Sequence, residues 1–134
     1  MTHIVIADPD SSIRNLLKQV VGLLGWTCDL AASGGEAWQL IKKTQPDLVI
    51  AEVEMSKMSG IELVGTMKYH SFLFHIPVIV ISSPHQKIDA LAAGWAAFVA
   101  KPFYVERLLL LLPSLVPERV TKSASRADLG VCPY

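Results

Sequence analysis

The chain has 134 residues, 51% of them hydrophobic, with 12 Lys+Arg against 12 Asp+Glu and a formal charge of zero. That length supports one domain with a sizeable core. Neutrality excludes a global attraction to nucleic acid or to anionic lipid, so neither is an expected partner.

Met1-Thr2-His3 runs straight into the first strand, Ile4-Val5-Ile6-Ala7, which ends at Asp8. No secretory signal precedes it, and the cytoplasm is the expected compartment. Ile13, Leu16, Leu17, Val20 and Leu24 then recur at helical spacing, with Asp10 or Ser11 as cap and Gly25 after the last turn. A second strand covers Thr27 to Ala31. Cys28 lies within it, and we expect a buried thiol there, since two cysteines make no disulfide framework. Ser33 with Glu36 predicts a capping box for a helix through Lys43 that buries Ala37, Leu40 and Ile41. Lys42-Lys43 reads as its solvated end.

Pro46 and Asp47 introduce the third strand, Leu48 to Ala51, closed by Glu52. A loop to Ser59 and a helix over Gly60–Lys68 follow. Pro77 opens Val78-Ile79-Val80-Ile81, an unalternating run that fits a strand covered on both faces. A fourth helix is predicted over Pro84–Ala92, a fifth strand over Ala96–Val99 and a fifth helix over Tyr104–Leu112, ended by Pro113. The consecutive leucines 108–112 are too short for a bilayer span. They exceed what one apolar stripe needs, so two or three should be left for contacts beyond the core. Domain organisation follows as a folded unit over 1–117 and a short polar tail over 118–134.

Alternating strands and helices predict an open doubly wound α/β domain, with its site at the carboxyl ends of the strands. Asp8, Glu52, Ser82 and Lys101 each stand at such an end. Two carboxylates, a hydroxyl and an ammonium suit phosphoryl transfer: carboxylates hold Mg²⁺, and the other two neutralise charge on the phosphoryl oxygens. A dinucleotide site is not indicated, because Asp8-Pro9-Asp10-Ser11 fills the turn where a glycine-rich loop would lie. A Walker A loop is also missing. His3, His70, His75 and His85 show no metal-ligand spacing.

Ile4-Val5-Ile6-Ala7-Asp8, Pro46 to Glu52, Met58-Ser59-Gly60, Ile76 to Ser82, and Ala93-Gly94 leading to Lys101-Pro102-Phe103 occur in this order. With these segments the chain resembles the receiver domain of two-component response regulators over about residues 3 to 116. The resemblance implies a five-stranded parallel sheet of order 2-1-3-4-5, flavodoxin-like, with helices on both faces. It implies no enzyme in the ordinary sense but a phosphoryl acceptor, served by a histidine kinase or phosphotransfer protein, at the position of Glu52. Asp8 matches one Mg²⁺ ligand, Asp10 a neighbouring acid, Ser82 the switch hydroxyl, Lys101 the phosphoryl-contacting lysine and Phe98 the aromatic that reports activation. The Lys101-Pro102 bond is implied to be cis.

Two departures fall on the chemistry. Glu52 stands where the family has aspartate, moving the oxygens outward by roughly one C–C bond, about 1.5 Å, and in-line transfer is sensitive to such a shift. Pro9 replaces an acidic ligand. The expectation is therefore an atypical receiver with no cofactor, or at most weak Mg²⁺ at Asp8, Asp10 and Glu52, in which Glu52 reaches Lys101 across the crevice. It would act by contact with a protein partner or histidine kinase. Homodimerisation through the fourth helix, fifth strand and fifth helix is a further expectation. The alternatives are a working phosphorelay receiver with an adapted site and a flavodoxin-like module that binds a small molecule.

Overall fold

A computed structural model describes residues 1–82 and 96–116. The predicted fourth helix, His85 and the polar tail lie outside these residues. The elements run β1 (His3–Ala7), α1 (Ser11–Leu23), β2 (Thr27–Ala31), α2 (Gly34–Thr44), β3 (Leu48–Glu52), α3 (Gly60–Lys68), β4 (Val78–Ser82) and β5 (Ala97–Ala100), and a last helix spans Val105–Leu115. All five strands are parallel in the order β2-β1-β3-β4-β5. The predicted sheet is thus the observed one.

Two apolar layers sandwich the sheet. Alternate strand residues point to opposite faces, so Val5, Val49, Ala51 and Val80 pack with α2 and α3, through Ala37, Ile41, Leu63, Val64 and Met67. Ile4, Ile6, Ile50, Ile79 and Ile81 pack with α1 and the last helix, through Leu17, Val21, Leu108 and Leu112. Every residue of β3 and β4 is buried, which accounts for their unbroken apolar runs. At the edge, the His3 ring ties β1 to β2, with Nδ1 2.7 Å from Thr27 Oγ and Nε2 2.9 Å from Asp29 Oδ2.

Four local expectations change. Ser33 caps α2, but Glu36 accepts from Ala32 N rather than from Ser33 N, so no reciprocal box forms there. The complete box belongs to Ser59 and Glu62 at the start of α3. The last helix passes through Pro113 to Leu115. Leu108, Leu112 and Leu115 lie at helical spacing on one core face, and that continuing burial offsets the single hydrogen bond that proline cannot donate. Of the leucine run only Leu110 stands exposed, since Leu109 and Leu111 pack half-buried on the same core. Cys28 is half-buried on the edge strand, where burial pushes its thiol pKa up.

The loop after β3 is held by two close approaches. Gly34 lies against the Met58 carbonyl and donates to Ser56 O at 3.1 Å. At Gly60 an added Cβ would fall 2.5 Å from the Glu52 carbonyl oxygen. The start of α3 is thereby pressed onto the end of β3. Gly60→Ala should destabilise the protein by about 1–3 kcal/mol through overpacking. Gly65→Ala, which meets open space within α3, should be neutral or stabilising by up to about 1 kcal/mol. Urea denaturation of both variants tests this contrast.

Candidate functional site

Parallel strands in this order bring the ends of β1, β3, β4 and β5 to one crevice. Asp8, just past β1, is 2% exposed. Its own N–H donates to Ala31 O at 3.0 Å, and Oδ1 accepts Asp10 N at 2.8 Å. Arg14 Nη1, one turn into α1, donates to the Asp8 carbonyl at 2.7 Å. Glu52 closes β3 at 7% exposure, with Oε2 3.3 Å from Glu54 N. Ser82 closes β4, also buried, and its carbonyl accepts Lys101 N at 2.9 Å. The Lys101-Pro102 peptide is cis.

The Lys101 ammonium joins both carboxylates, 2.5 Å from Glu52 Oε1 and 3.0 Å from Asp8 Oδ2. The sequence suggested its bond to Glu52. Its bond to Asp8 went unforeseen, because Asp8 read as a metal ligand. Partial burial works against the charged amine, but the hydrogen bonds it donates to Glu52 and Asp8 outweigh it and raise the Lys101 pKa above the ordinary lysine value.

Asp10 is not part of this cluster. Its side chain accepts from Ser12 N at 2.8 Å as the N-cap of α1. The sequence allows it both roles, and the helix takes the carboxylate because α1 would otherwise begin with an unsatisfied donor. Pro9 offers no carboxylate, and an ammonium already bridges Asp8 and Glu52. The residues present therefore do not fit the family's Mg²⁺ site, and among the described residues no group of three His, Cys, Asp or Glu is arranged to hold a metal ion. Phe98 on β5 is half-buried against the α2–α3 side of the core. Beside the ammonium, Ile13, Leu16, Pro102 and Phe103 line a recess of about 350 Å³.

Lys101→Met leaves two buried carboxylates facing each other. It should cost roughly 2 kcal/mol, less than a fully buried pair because the ammonium keeps 25% of its surface in water. The pH dependence follows from the raised pKa. The ammonium's contribution is complete below the unfolded lysine value of about 10.4 and is lost as pH rises through the higher folded value. Urea melts between neutral pH and strongly alkaline pH should show wild type losing its advantage over Lys101→Met. A constant difference across that range would contradict the assignment.

The response regulator receiver domain model matches residues 4–112. Response regulator MprA of Mycobacterium ulcerans is 27% identical over 129 residues, which cover 94% of this chain and 55% of that protein. The probable transcriptional regulator ycf29 of Cyanophora paradoxa is 25% identical over 119 residues, 87% of this chain and 57% of that one. The chain spans about half the length of these curated relatives. Among solved structures, the Vibrio cholerae chemotaxis protein CheY4 superposes with a TM-score of 0.78 at 28% identity, covering 87% of this chain and 99% of that one. A putative response regulator from Chloroflexus aurantiacus gives 0.81 at 27% identity, covering 85% and 96%. Among the described residues no helix is long and apolar enough to cross a membrane. The matched model spans the sheet and the crevice alike, and this chain belongs to the response regulator receiver domain family.

Proposed function

We propose that this chain is an atypical receiver that works in two-component signalling by protein contact and not through a phosphorylation cycle. The observation that carries this reading is the Asp8–Lys101–Glu52 bridge. An ammonium compensates the two carboxylates from within the protein, at the crevice where the family uses a metal ion. Glutamate brings the acceptor oxygen to the lysine, so an attack on a phosphodonor would first have to break a short charge-assisted bond. With Pro9 carrying no carboxylate and Asp10 engaged as the cap of α1, the β1–α1 turn offers a cation Asp8 alone.

The unit that carries this function is residues 1–117, with 118–134 as a short polar appendage. Its partner is a histidine kinase or another protein, met through the face of β5 and the last helix. Tyr104 and Leu110 stand exposed there and are not needed by the core. The same face would serve a homodimer, which sedimentation velocity on wild type and Leu110→Asp would reveal.

Incubation with a small-molecule phosphodonor and Mg²⁺ should leave wild-type Glu52 unlabelled by mass spectrometry. Glu52→Asp alone should label poorly, because position 9 still lacks a carboxylate. Pro9→Asp with Glu52→Asp should restore Mg²⁺-dependent labelling at position 52 by about 100-fold or more, the scale on which orientation governs such transfers. Stoichiometric labelling of wild-type Glu52 would defeat the proposal and favour a working phosphorelay receiver.

A further inference from the structure

The exposed apolar side chains are unevenly placed. Among the described residues, Met1, Leu23, Tyr69, Phe72, Phe74, Tyr104 and Leu110 are the exposed large ones. The first five lie at the end of the molecule where strands begin and helices finish, opposite the crevice. Tyr69, Phe72 and Phe74 are 93%, 66% and 53% exposed, although they flank the buried anchors Leu73 and Ile76. The turn after α3 thus roots itself with two aliphatic residues and turns three aromatic rings outward.

The same end concentrates positive charge on a chain that is neutral overall. Residues 38–45 and 66–76 contain Lys42, Lys43 and Lys68 and neither Asp nor Glu. The fold joins the two segments: Lys42 Nζ lies 5.0 Å from the Trp38 ring centroid, and Trp38 meets the His70 ring edge-on at 6.0 Å. His70 in turn lies 6.3 Å from Phe72. Lys68 Nζ reaches the Phe74 carbonyl at 3.4 Å. Asp29 Oδ2 lies 2.9 Å from His3 Nε2, and Asp47 accepts from the backbone His3 N at 2.8 Å. Aromatic rings thus stand beside lysines that no carboxylate of either segment offsets.

We propose that this end of the domain rests reversibly on an anionic lipid surface, with Phe72, Phe74 and Tyr69 entering the headgroup region and Lys42, Lys43 and Lys68 meeting lipid phosphates. Rings and lysines together are the composition that interfacial binding uses. The apolar side chains occupy several points at one end and stand as knobs, which suits a broad, deformable surface better than a peptide. Lysine without arginine also differs from protein interfaces, whose cores favour arginine and deplete lysine. A second copy meeting the same patch would oppose like charges. Stacking of nucleic-acid bases is less suited, since Trp38 is already covered by Lys42 and met by His70. Docking this way leaves the crevice and the last helix free for a protein partner.

Three lysines near a charged surface contribute a preference of roughly 100-fold for anionic over neutral lipid. The test is co-sedimentation of the full chain with vesicles of phosphatidylcholine containing about 30 mol% phosphatidylserine, against phosphatidylcholine alone. Wild type should pellet with the anionic vesicles and be released by salt. Lys42→Glu with Lys68→Glu should abolish the preference. Phe72→Ser with Phe74→Ser should weaken binding at least 10-fold while circular dichroism stays unchanged, as exposed positions allow. No pelleting, equal partition to both vesicles, or indifference to either double variant would overturn the proposal. Retention on immobilised polyglutamate or single-stranded DNA without vesicle binding would also overturn it, and would assign the patch to a soluble polyanion.

Discussion

The Lys101 ammonium holds the crevice together. Two nearly buried carboxylates, Asp8 and Glu52, end adjacent strands, and a buried carboxylate needs a partner or must give up its charge. Lys101 supplies that partner to both from the end of β5. The bridge spans β1, β3 and β5, three strands that are far apart in sequence. It also places a positive charge between the two acids from within the protein.

The fold places this contact through backbone constraints rather than through the charged residues themselves. Gly60 lets the first turn of α3 touch the Glu52 carbonyl, and the Ser59–Glu62 box fixes that turn. Ser82 O accepts Lys101 N, which sets the height at which the lysine leaves β5. Asp10 and Arg14 bind the Asp8 side chain and carbonyl from α1. Each carboxylate therefore has its orientation set by backbone neighbours, and the flexible lysine adapts to them. Glu52 meets the lysine through Oε1 while Oε2 lies 3.3 Å from Glu54 N.

The two ends of the domain differ in chemistry. At the crevice, charge is buried and paired. At the opposite end, aromatic rings and lysines face water, and the apolar anchors Leu73 and Ile76 hold the turn that carries them. A domain with one end enclosed and the other open can hold two contacts at once, because neither competes for the same residues.

Much of this was legible in the residues. The unbroken apolar runs of β3 and β4, the helical spacing in α1 and the polar residues at four strand ends each express a local rule, so the element order of the described residues and the doubly wound class could be read from them, while the strand order came with the family resemblance. The Glu52–Lys101 contact was foreseeable from charge and reach. Other features depend on which segments meet. Asp10 could cap a helix or bind a cation, and only the formed α1 decides in favour of its own Ser12 N–H. Pro113 reads as a stop until Leu115 is seen to extend the face of Leu108 and Leu112. Lys42-Lys43 is the solvated helix end the sequence suggests, and only the fold shows Lys42 over the Trp38 ring and that ring against His70. Periodicity and turn chemistry act over a few residues and can be read directly, whereas the competition for a carboxylate, a helix end or a surface is settled by neighbours that only the folded chain provides.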